Sequence, residues 1–350
     1  MKRVLVTGGA GFIGIHTCLL LLEQNFEVYV IDSCINSSEK ALERLALILS
    51  LNKKEFQKKL KFFKVDIRNK TKIHEIFSNF QRANIYFDAV IHFAGLKSVA
   101  NSVHNPIEYW DVNVKGTINL LDIMNKFDCN TIVFSSSASI YGSTHSYLLD
   151  EDSEIKPFNP YALTKSVIEK FLNNIFMSSN KKWRIANLRY FNPIGAHESG
   201  LIGEDPRDKP NNLFPLITMV ALGKLNALKV FGNDWPTKDG TGVRDYIHVM
   251  DLADGHVKTL NYLNEEEPQI LNLNLGTGQD VSVIELIETF EKVNRISIPY
   301  SYAPRRDGDV ARLVADNSLA LNKLDWRPNR SLEEMCNDGW NWSKLNPQGF

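Results

Sequence analysis

Tyr161 and Lys165 stand four residues apart in the stretch "NPYALTKSVIEK". A phenol and an amine one helical turn apart share a face, and a nearby ammonium favours the phenolate, so the pair can move a proton. The helix start is well marked. Asn159 can cap free backbone N–H groups, and Pro160 suits the first helical position, where no N–H is needed. Downstream, Leu163, Val167, Phe171 and Phe176, with Ile168, Leu172 and Ile175, recur at helical spacing. Alone the pair is weak, because 11 tyrosines should yield roughly one Tyr-x-x-x-Lys by chance. An amphipathic Tyr and Lys covering a core edge would look the same.

A second group of residues suits a dinucleotide. "VTGGAGFIG" (Val6 to Gly14) holds Gly9-x-Gly11-x-x-Gly14 and Gly8-x-x-Gly11-x-x-Gly14 between a strand and a helix. Glycine there permits a tight turn, backbone approach to a pyrophosphate and close helix–strand packing. The helix N-terminus then offers N–H groups to phosphates. Asp32 ends the second strand, 18 residues after Gly14, where a carboxylate can accept from ribose hydroxyls and would repel a 2′-phosphate. NAD is therefore expected rather than NADP. Asp66 in "KVDIR" fits a contact to the adenine edge, and "FAGLKS" (Phe93 to Ser98) borders the same crevice. His92 reads as a core histidine. The eight histidines show no metal-ligand spacing, and no metal is expected.

Alternating strands and helices must position these groups. Six apolar runs in the first half read as strands: Arg3–Thr7, Val28–Asp32, Lys61–Val65, Ala89–Ala94, Thr131–Ser135 and Arg184–Arg189. Helix-length segments between them predict a Rossmann-type, doubly wound parallel α/β sheet. After about Tyr190 the texture becomes richer in Pro and Gly. The expected division is a cofactor domain over residues 1–189 and a smaller, mixed α/β substrate lobe over 190–350, with stretches near "DYIHVMDLADGHVKTL" packing back on the first.

Composition narrows the partners. The 350-residue chain is 43% hydrophobic and 23% charged, with a formal net charge of −1, which argues against nucleic acid or an anionic membrane. The Lys-rich run from Asn52 to Lys61 reads as a solvated helix face. Four scattered cysteines suggest neither a disulfide framework nor a zinc site. "MKRVLVTGG" enters a strand without the zones of a signal peptide, and "CLLLLE" is too short to span a bilayer. No membrane is expected as a partner, and a cytoplasmic location is.

After the fifth strand comes "SSSASIYG" (Ser135 to Gly142), about 20 residues before Tyr161. Dinucleotide turn, hydroxyl-rich strand end and helical Tyr/Lys together resemble the extended short-chain dehydrogenases/reductases. "RYFNPIGAH", "GEDP", "PNNLFP", "VFGNDWPTKDGTGVRDYIHVMDLADGH" and "APRRDGD" narrow the resemblance to the UDP-glucose 4-epimerase family, over essentially the whole chain. The resemblance implies interconversion of UDP-glucose and UDP-galactose on a tightly held NAD. The sugar is oxidised transiently at C4, the 4-keto sugar rotates, and the hydride returns to its other face. It makes Tyr161 the general base, Ser137 its hydroxyl partner and Lys165 the cation that lowers the phenol from its ordinary pKa near 10. It sets Gly8, Gly11, Phe12, Ile13, Gly14, Asp32, Asn36, Ser37, Asp66, Ile67, Phe93, Ala94, Gly95, Lys97, Asn113, Ser135, Tyr161, Lys165 and Tyr190 along the cofactor.

The resemblance also implies a UDP-hexose site. Arg244 and Arg306 clamp the diphosphate, for which guanidinium forks are suited; on their own they could equally be ion-paired with Asp245 or Asp307. Asn192, Asn211, Asn212 and Leu213 contact the sugar nucleotide, and Lys229, Val230 and Phe231 form the uracil-binding strand. Asp309 meets a ribose, while Lys97 and Tyr190 wall the sugar pocket. Leu313 occupies the position that sets pocket volume. A bulky aromatic there excludes N-acetylated sugars and a small residue admits them, so UDP-GlcNAc/UDP-GalNAc epimerisation stays open. Val112 replaces a polar residue of some relatives beside Asn113. Two further readings remain: a 4,6-dehydratase, whose acidic pair after the catalytic Ser/Thr is here Ala138 and Ser139, and a non-catalytic NAD(H) sensor, which often lacks the Tyr or Lys. A homodimer is implied through "NPIEYWDVNVKGTINLLDIMNKF" (Asn105 to Phe127) and the Tyr161 helix.

Overall fold

Successive side chains of a strand leave opposite faces of its sheet, and a parallel sheet with both faces covered is apolar on both. Val4 and Val6 accordingly pack on one face and Leu5 on the other, as do Val28 and Val30 against Tyr29 and Ile31. The computed structural model describes residues 2–142, 147–207, 210, 212–306 and 309–350. In it, β1 (Arg3–Thr7), β2 (Glu27–Asp32), β3 (Leu60–Lys64), β4 (Ala89–His92), β5 (Thr131–Ser135) and β6 (Arg184–Tyr190) lie in one parallel sheet. The fourth strand stops short of the expected Ala94. The Phe93 and Ala94 N–H groups both turn to the Thr7 carbonyl, at 2.9 and 3.1 Å, and end the ladder.

The second half adds β7 (Asn192–Ile194), β8 (Leu228–Phe231), β9 (Val243–Arg244), β10 (Tyr246–His248), β11 (Ile270–Leu275), β12 (Val281–Ser282), β13 (Tyr300–Ala303) and β14 (Arg312–Leu313). One of these, β11, joins the main sheet, whose seven-strand order is β11-β6-β5-β4-β1-β2-β3. The chain therefore departs in opposite directions from β1, and a crevice opens between the ends of β1 and β4, the usual ligand site of such sheets. The Val249–Glu265 helix also lies on this sheet, where Leu252, Val257 and Leu260 share a core with Ile15, Leu19 and Leu22 of the Phe12–Glu23 helix. Ile168, Leu172 and Phe176 of the Pro160–Ser178 helix cover the opposite face. A separate core of Phe214, Ile287, Phe290 and Met335 supports the three small sheets.

Local capping follows the sequence. The Asn159 side chain accepts from Ala162 N at 2.8 Å and starts the Pro160–Ser178 helix. Asn52 and Glu55 form a capping box on the Lys53–Lys59 helix, which buries no residue. Among the described residues no helix is long and apolar enough to cross a membrane.

Candidate active site

The glycine turn after β1 is tight for a steric reason. Gly8 has φ +73°, and a Cβ there would lie 2.7 Å from Ala94 N; a Cβ on Gly14 would lie 2.3 Å from Gly8 O. Helix and turn can touch only without those side chains. A Cβ on Gly11 would meet only Gly8 O at 3.3 Å, and Gly11 offers no side chain to cap the helix that starts with Phe12 and Ile13. The first N–H groups of that helix lack helical acceptors by geometry, which fits a dinucleotide diphosphate. Asp32 is buried beside the turn. It accepts from Ala10 N at 3.0 Å, Cys34 N at 2.9 Å and the Ser37 hydroxyl at 2.8 Å.

Most of the remaining expected cofactor residues have partners of their own within the chain. Asn36 accepts from Arg207 N at 3.1 Å, tying the loop after β2 to the second half of the chain. Asp66 is gripped by Arg68 through the backbone N–H at 2.8 Å and the side chain at 3.0 and 2.7 Å, and this holds its carboxyl below the usual range. Ile67 is buried against Gly116. Buried Asn113 accepts from Leu96 N at 2.8 Å and donates to Leu96 O and Thr164 Oγ1, both at 3.1 Å. It thus shapes the loop that carries exposed Gly95, and it lies in a π-helical turn, Trp110–Lys115. The Lys97 amine turns to Glu204 at 2.8 Å. The Phe93 ring lies 4.7 Å from that of His256, tilted by 48°, and the Tyr190 ring lies 5.5 Å from the same imidazole. His92 is buried and neutral, pushed down to about 3 by desolvation, between the Thr7 and Thr117 hydroxyls at 2.6 and 2.8 Å.

Ser137, Tyr161 and Lys165 are brought together where β5 ends. Ser137 caps the 3-10 turn Ala138–Tyr141, and its hydroxyl lies 2.9 Å from Ser139 Oγ. Lys165 Nζ donates to Ser135 O at 2.6 Å and lies 5.9 Å from the centre of the Tyr161 ring. The Ser135 hydroxyl bonds the Tyr190 hydroxyl, joining β5 to β6. Burial raises the Tyr161 phenol above its ordinary value, and a hydrogen bond with Ser137 pulls it back. Burial pushes Lys165 down to about 7, opposed by the Glu169 carboxylate.

A second cluster gathers the expected nucleotide residues. Arg244 and Arg306 both turn to Asp309, at 3.7 and 2.8 Å, and the Arg306 guanidinium covers the Phe231 ring at 4.8 Å. Arg244 also donates to Val243 O and Val310 O, at 2.8 and 2.9 Å. Asp245 is engaged by backbone and Thr277 donors instead, and Asp307 lies outside the described residues. Lys229 and Phe231 flank buried Val230 in β8, which pairs with β13. Leu313 is register partner of Arg244 and packs on the apolar cluster containing Ala138 and Phe191. Asn192 N donates to Asp245 O at 3.0 Å, linking the two clusters. Asn212 is exposed at the start of the Leu213–Ala221 helix and makes no side-chain cap bond; Leu213 packs inward. Asn211 lies outside the described residues.

Residues 5–339 match the family model described as GDP-mannose 4,6 dehydratase. A curated relative, the bifunctional UDP-glucose 4-epimerase and UDP-xylose 4-epimerase 3 of Arabidopsis thaliana, is 49% identical over 100% of this chain and 97% of its own length. The UDP-glucose 4-epimerase of Bacillus subtilis is 47% identical over 99% of this chain and 98% of its own. The chain belongs to the UDP-glucose 4-epimerases. Solved structures of this family superpose closely. The enzyme of Bifidobacterium longum in complex with NAD+ and UDP has a TM-score of 0.92 at 42% identity, covering 100% of both chains. That of Stenotrophomonas maltophila, with NAD and formylated UDP-arabinopyranose, has 0.93 at 43%, covering 99% of both.

Within this epimerase fold, two features of the site had escaped the sequence reading. Glu169, four residues beyond Lys165, pairs with Arg189 of β6 while both are buried. Glu204 holds Lys97 from 107 residues away. The i,i+4 spacing set Glu169 one turn from Lys165, but nothing in the sequence signalled its pairing with Arg189 or the contact between Glu204 and Lys97.

Proposed function

We propose that this protein interconverts UDP-glucose and UDP-galactose at sugar C4 with a retained NAD. The observation that carries the reading is the meeting of Ser137, Tyr161 and Lys165 beside a glycine turn built for a diphosphate, with Arg244 and Arg306 turned to one carboxylate nearby. NAD, when bound, supplies a hydride acceptor that takes hydride from C4 and gives it back. Tyr161 Oη takes the proton of the sugar 4-hydroxyl and later returns it. Ser137 Oγ holds the reacting oxygen and relays the proton. Protonated Lys165 lowers the cost of the phenolate, and its bond to Ser135 O keeps the charge near the ring.

Residues 1–189 carry the cofactor and 190–350 the nucleotide. Gly8, Gly11, Phe12, Ile13 and Gly14 face the diphosphate; Asp32, Asn36 and Ser37 serve the ribose; Asp66 and Ile67 serve the adenine. Arg244 and Arg306 exchange part of their hold on Asp309 for the substrate diphosphate, and Lys229–Phe231 line the uracil. Ala138 and Ser139 follow Ser137 where an eliminating enzyme needs an acid and a base, so the 4,6-dehydratase reading has no residues to support it. The protein acts as a cytoplasmic homodimer. Val103, Ile107, Ile118 and Leu163, exposed on the helices flanking the site, form the pairing face.

The purified protein, given UDP-galactose without added NAD+, should form UDP-glucose, and Tyr161→Phe should lose most of that rate. A 4-keto-6-deoxy product would overturn the reading in favour of a dehydratase. An inert wild type that releases NAD on denaturation would make it a sensor.

A further inference from the structure

Behind the acid–base centre lies a buried charge pair that the proposed proton transfers do not use. Glu169 and Arg189 meet through two bonds, Nε to Oε1 at 3.1 Å and Nη2 to Oε2 at 2.8 Å, with side chains only 7% and 3% exposed. A buried pair is a poor source of stability, because desolvation consumes most of its attraction. Its remaining contacts point to another use.

The pair grips the Ser137 turn at both ends. The Ser136 hydroxyl, one residue before Ser137, donates to Glu169 Oε1. Arg189 Nη1 donates to Tyr141 Oη at 3.1 Å, at the last residue of the 3-10 turn that Ser137 caps. The same nitrogen donates to Glu151 O at 2.8 Å, and Tyr141 Oη donates onward to Asn274 Oδ1 at 2.7 Å. Glu169 sits one turn beyond Lys165 on the helix that carries Tyr161. The pair therefore spans three separate elements: that helix, β6 and the turn after β5.

We propose that Glu169 and Arg189 are positioning residues that hold the Ser137 turn against Tyr161 and Lys165; this rests on the function proposed above. The brace supplies the sub-ångström placement that proton transfer needs, and a displacement of about 1 Å can cost a hundredfold in rate. The Glu169 carboxylate also favours the charged form of Lys165. The other groups around that ammonium are His92 from β4, neutral in its buried setting, the Phe134 ring and Ser135 carbonyl of β5, and the Tyr161 phenol. Tyr109 and Tyr190 face Tyr161 and are buried phenols. Glu169 is the carboxylate that acts on Lys165, and Arg189, paired with it, offsets its charge.

Ser136→Ala tests the brace while leaving the ion pair whole. It should lower kcat about tenfold or more, with bound NAD and KM for UDP-galactose near wild type. A crystal structure of the variant should show Ser137 Oγ moved away from the Tyr161 hydroxyl. Unchanged kcat together with unchanged Ser137 geometry would overturn the proposal. An inactive wild type would count against the proposed reaction, whereas the Ser137 displacement still decides the brace. Glu169→Gln tests the charge. If Lys165 must stay protonated, the alkaline limb of the kcat–pH profile should move down by about one pH unit. Adding Arg189→Met to Glu169→Gln should bring it back, because the net local charge is restored. A limb that stays in place in Glu169→Gln would remove the electrostatic half of the proposal.

Discussion

Lys165 Nζ donates to the Ser135 carbonyl at 2.6 Å, so the amine of the helix is pinned to the end of the strand that leads into Ser137. The bond keeps the Lys165 charge facing Tyr161 rather than the solvent, and burial holds its pKa down to about 7.

This makes Lys165→Met informative in two ways. Without the cation the phenolate is harder to form, so kcat should fall and its acid limb should move to higher pH. Stability should change in the opposite sense. The folded pKa near 7 lies below the ordinary 10.4, so between these values the unfolded chain binds more protons and wild-type stability rises with pH. Below pH 7 the buried cation is at its most costly. Thermal melts should therefore show Lys165→Met more stable than wild type at pH 7, with the advantage shrinking toward pH 10.

Gly14→Ala should abolish cofactor retention. The added methyl would lie 2.3 Å from Gly8 O and 2.7 Å from Gly9 Cα, both backbone atoms that cannot turn aside. The helix must shift off the turn. Denatured, desalted protein should release little or no NAD compared with wild type, and the melting temperature should fall.

Asp245 is the hub of the nucleotide cluster. Its carboxylate accepts from Thr277 N at 2.8 Å, Thr277 Oγ1 at 2.7 Å, Gly278 N at 2.9 Å and Ala315 N at 3.2 Å. Its own N–H donates to Leu313 O at 3.1 Å. Asp245→Ala would strand the buried Ala315 N–H and release the half-exposed Thr277–Gly278 turn, costing roughly 1–3 kcal/mol and lowering the melting temperature by several degrees. Because the carboxylate ties the Thr277–Gly278 turn and Ala315 beside the strands that carry Arg244 and Leu313, KM for UDP-galactose should rise more than kcat falls. Steady-state kinetics on the folded fraction, counted by bound NAD, would check this.

Leu313→Ser should widen the sugar range. Leu313 packs on the cluster that includes Ala138, directly after Ser137, so a smaller side chain opens space beside the sugar position proposed above. The rate ratio of UDP-N-acetylgalactosamine to UDP-galactose should increase at least about tenfold. A wild type that already turns over both sugars equally would refute the role given to Leu313.

Ile107→Asp should convert the proposed homodimer to a monomer. Ile107 is 84% exposed, on a helical turn that packs against the helices carrying Val103 and Leu163. A charge on an apolar face that pairing would bury is expensive. Light scattering with size-exclusion chromatography would read the mass directly, and a monomeric wild type would refute the dimer.

Local order and periodicity made much of this protein legible in its sequence. The short apolar runs, the glycine turn, Asn159 with Pro160 and the one-turn Tyr161–Lys165 spacing depend on neighbours within a few residues, and their physics is local. The parallel sheet followed from strands alternating with helices. What tertiary structure alone decided was the partnership of distant groups. The addition of β11 to the main sheet, the reach of Arg244 to Asp309, the Asp245 carboxylate gathering donors up to 70 residues away, and the Glu169–Arg189 brace under Ser137 are of this kind. Spacing along the chain carries no signal for them. A charged or polar group buried by the fold must find a partner in space, and which partner is near is set only once the sheets have packed.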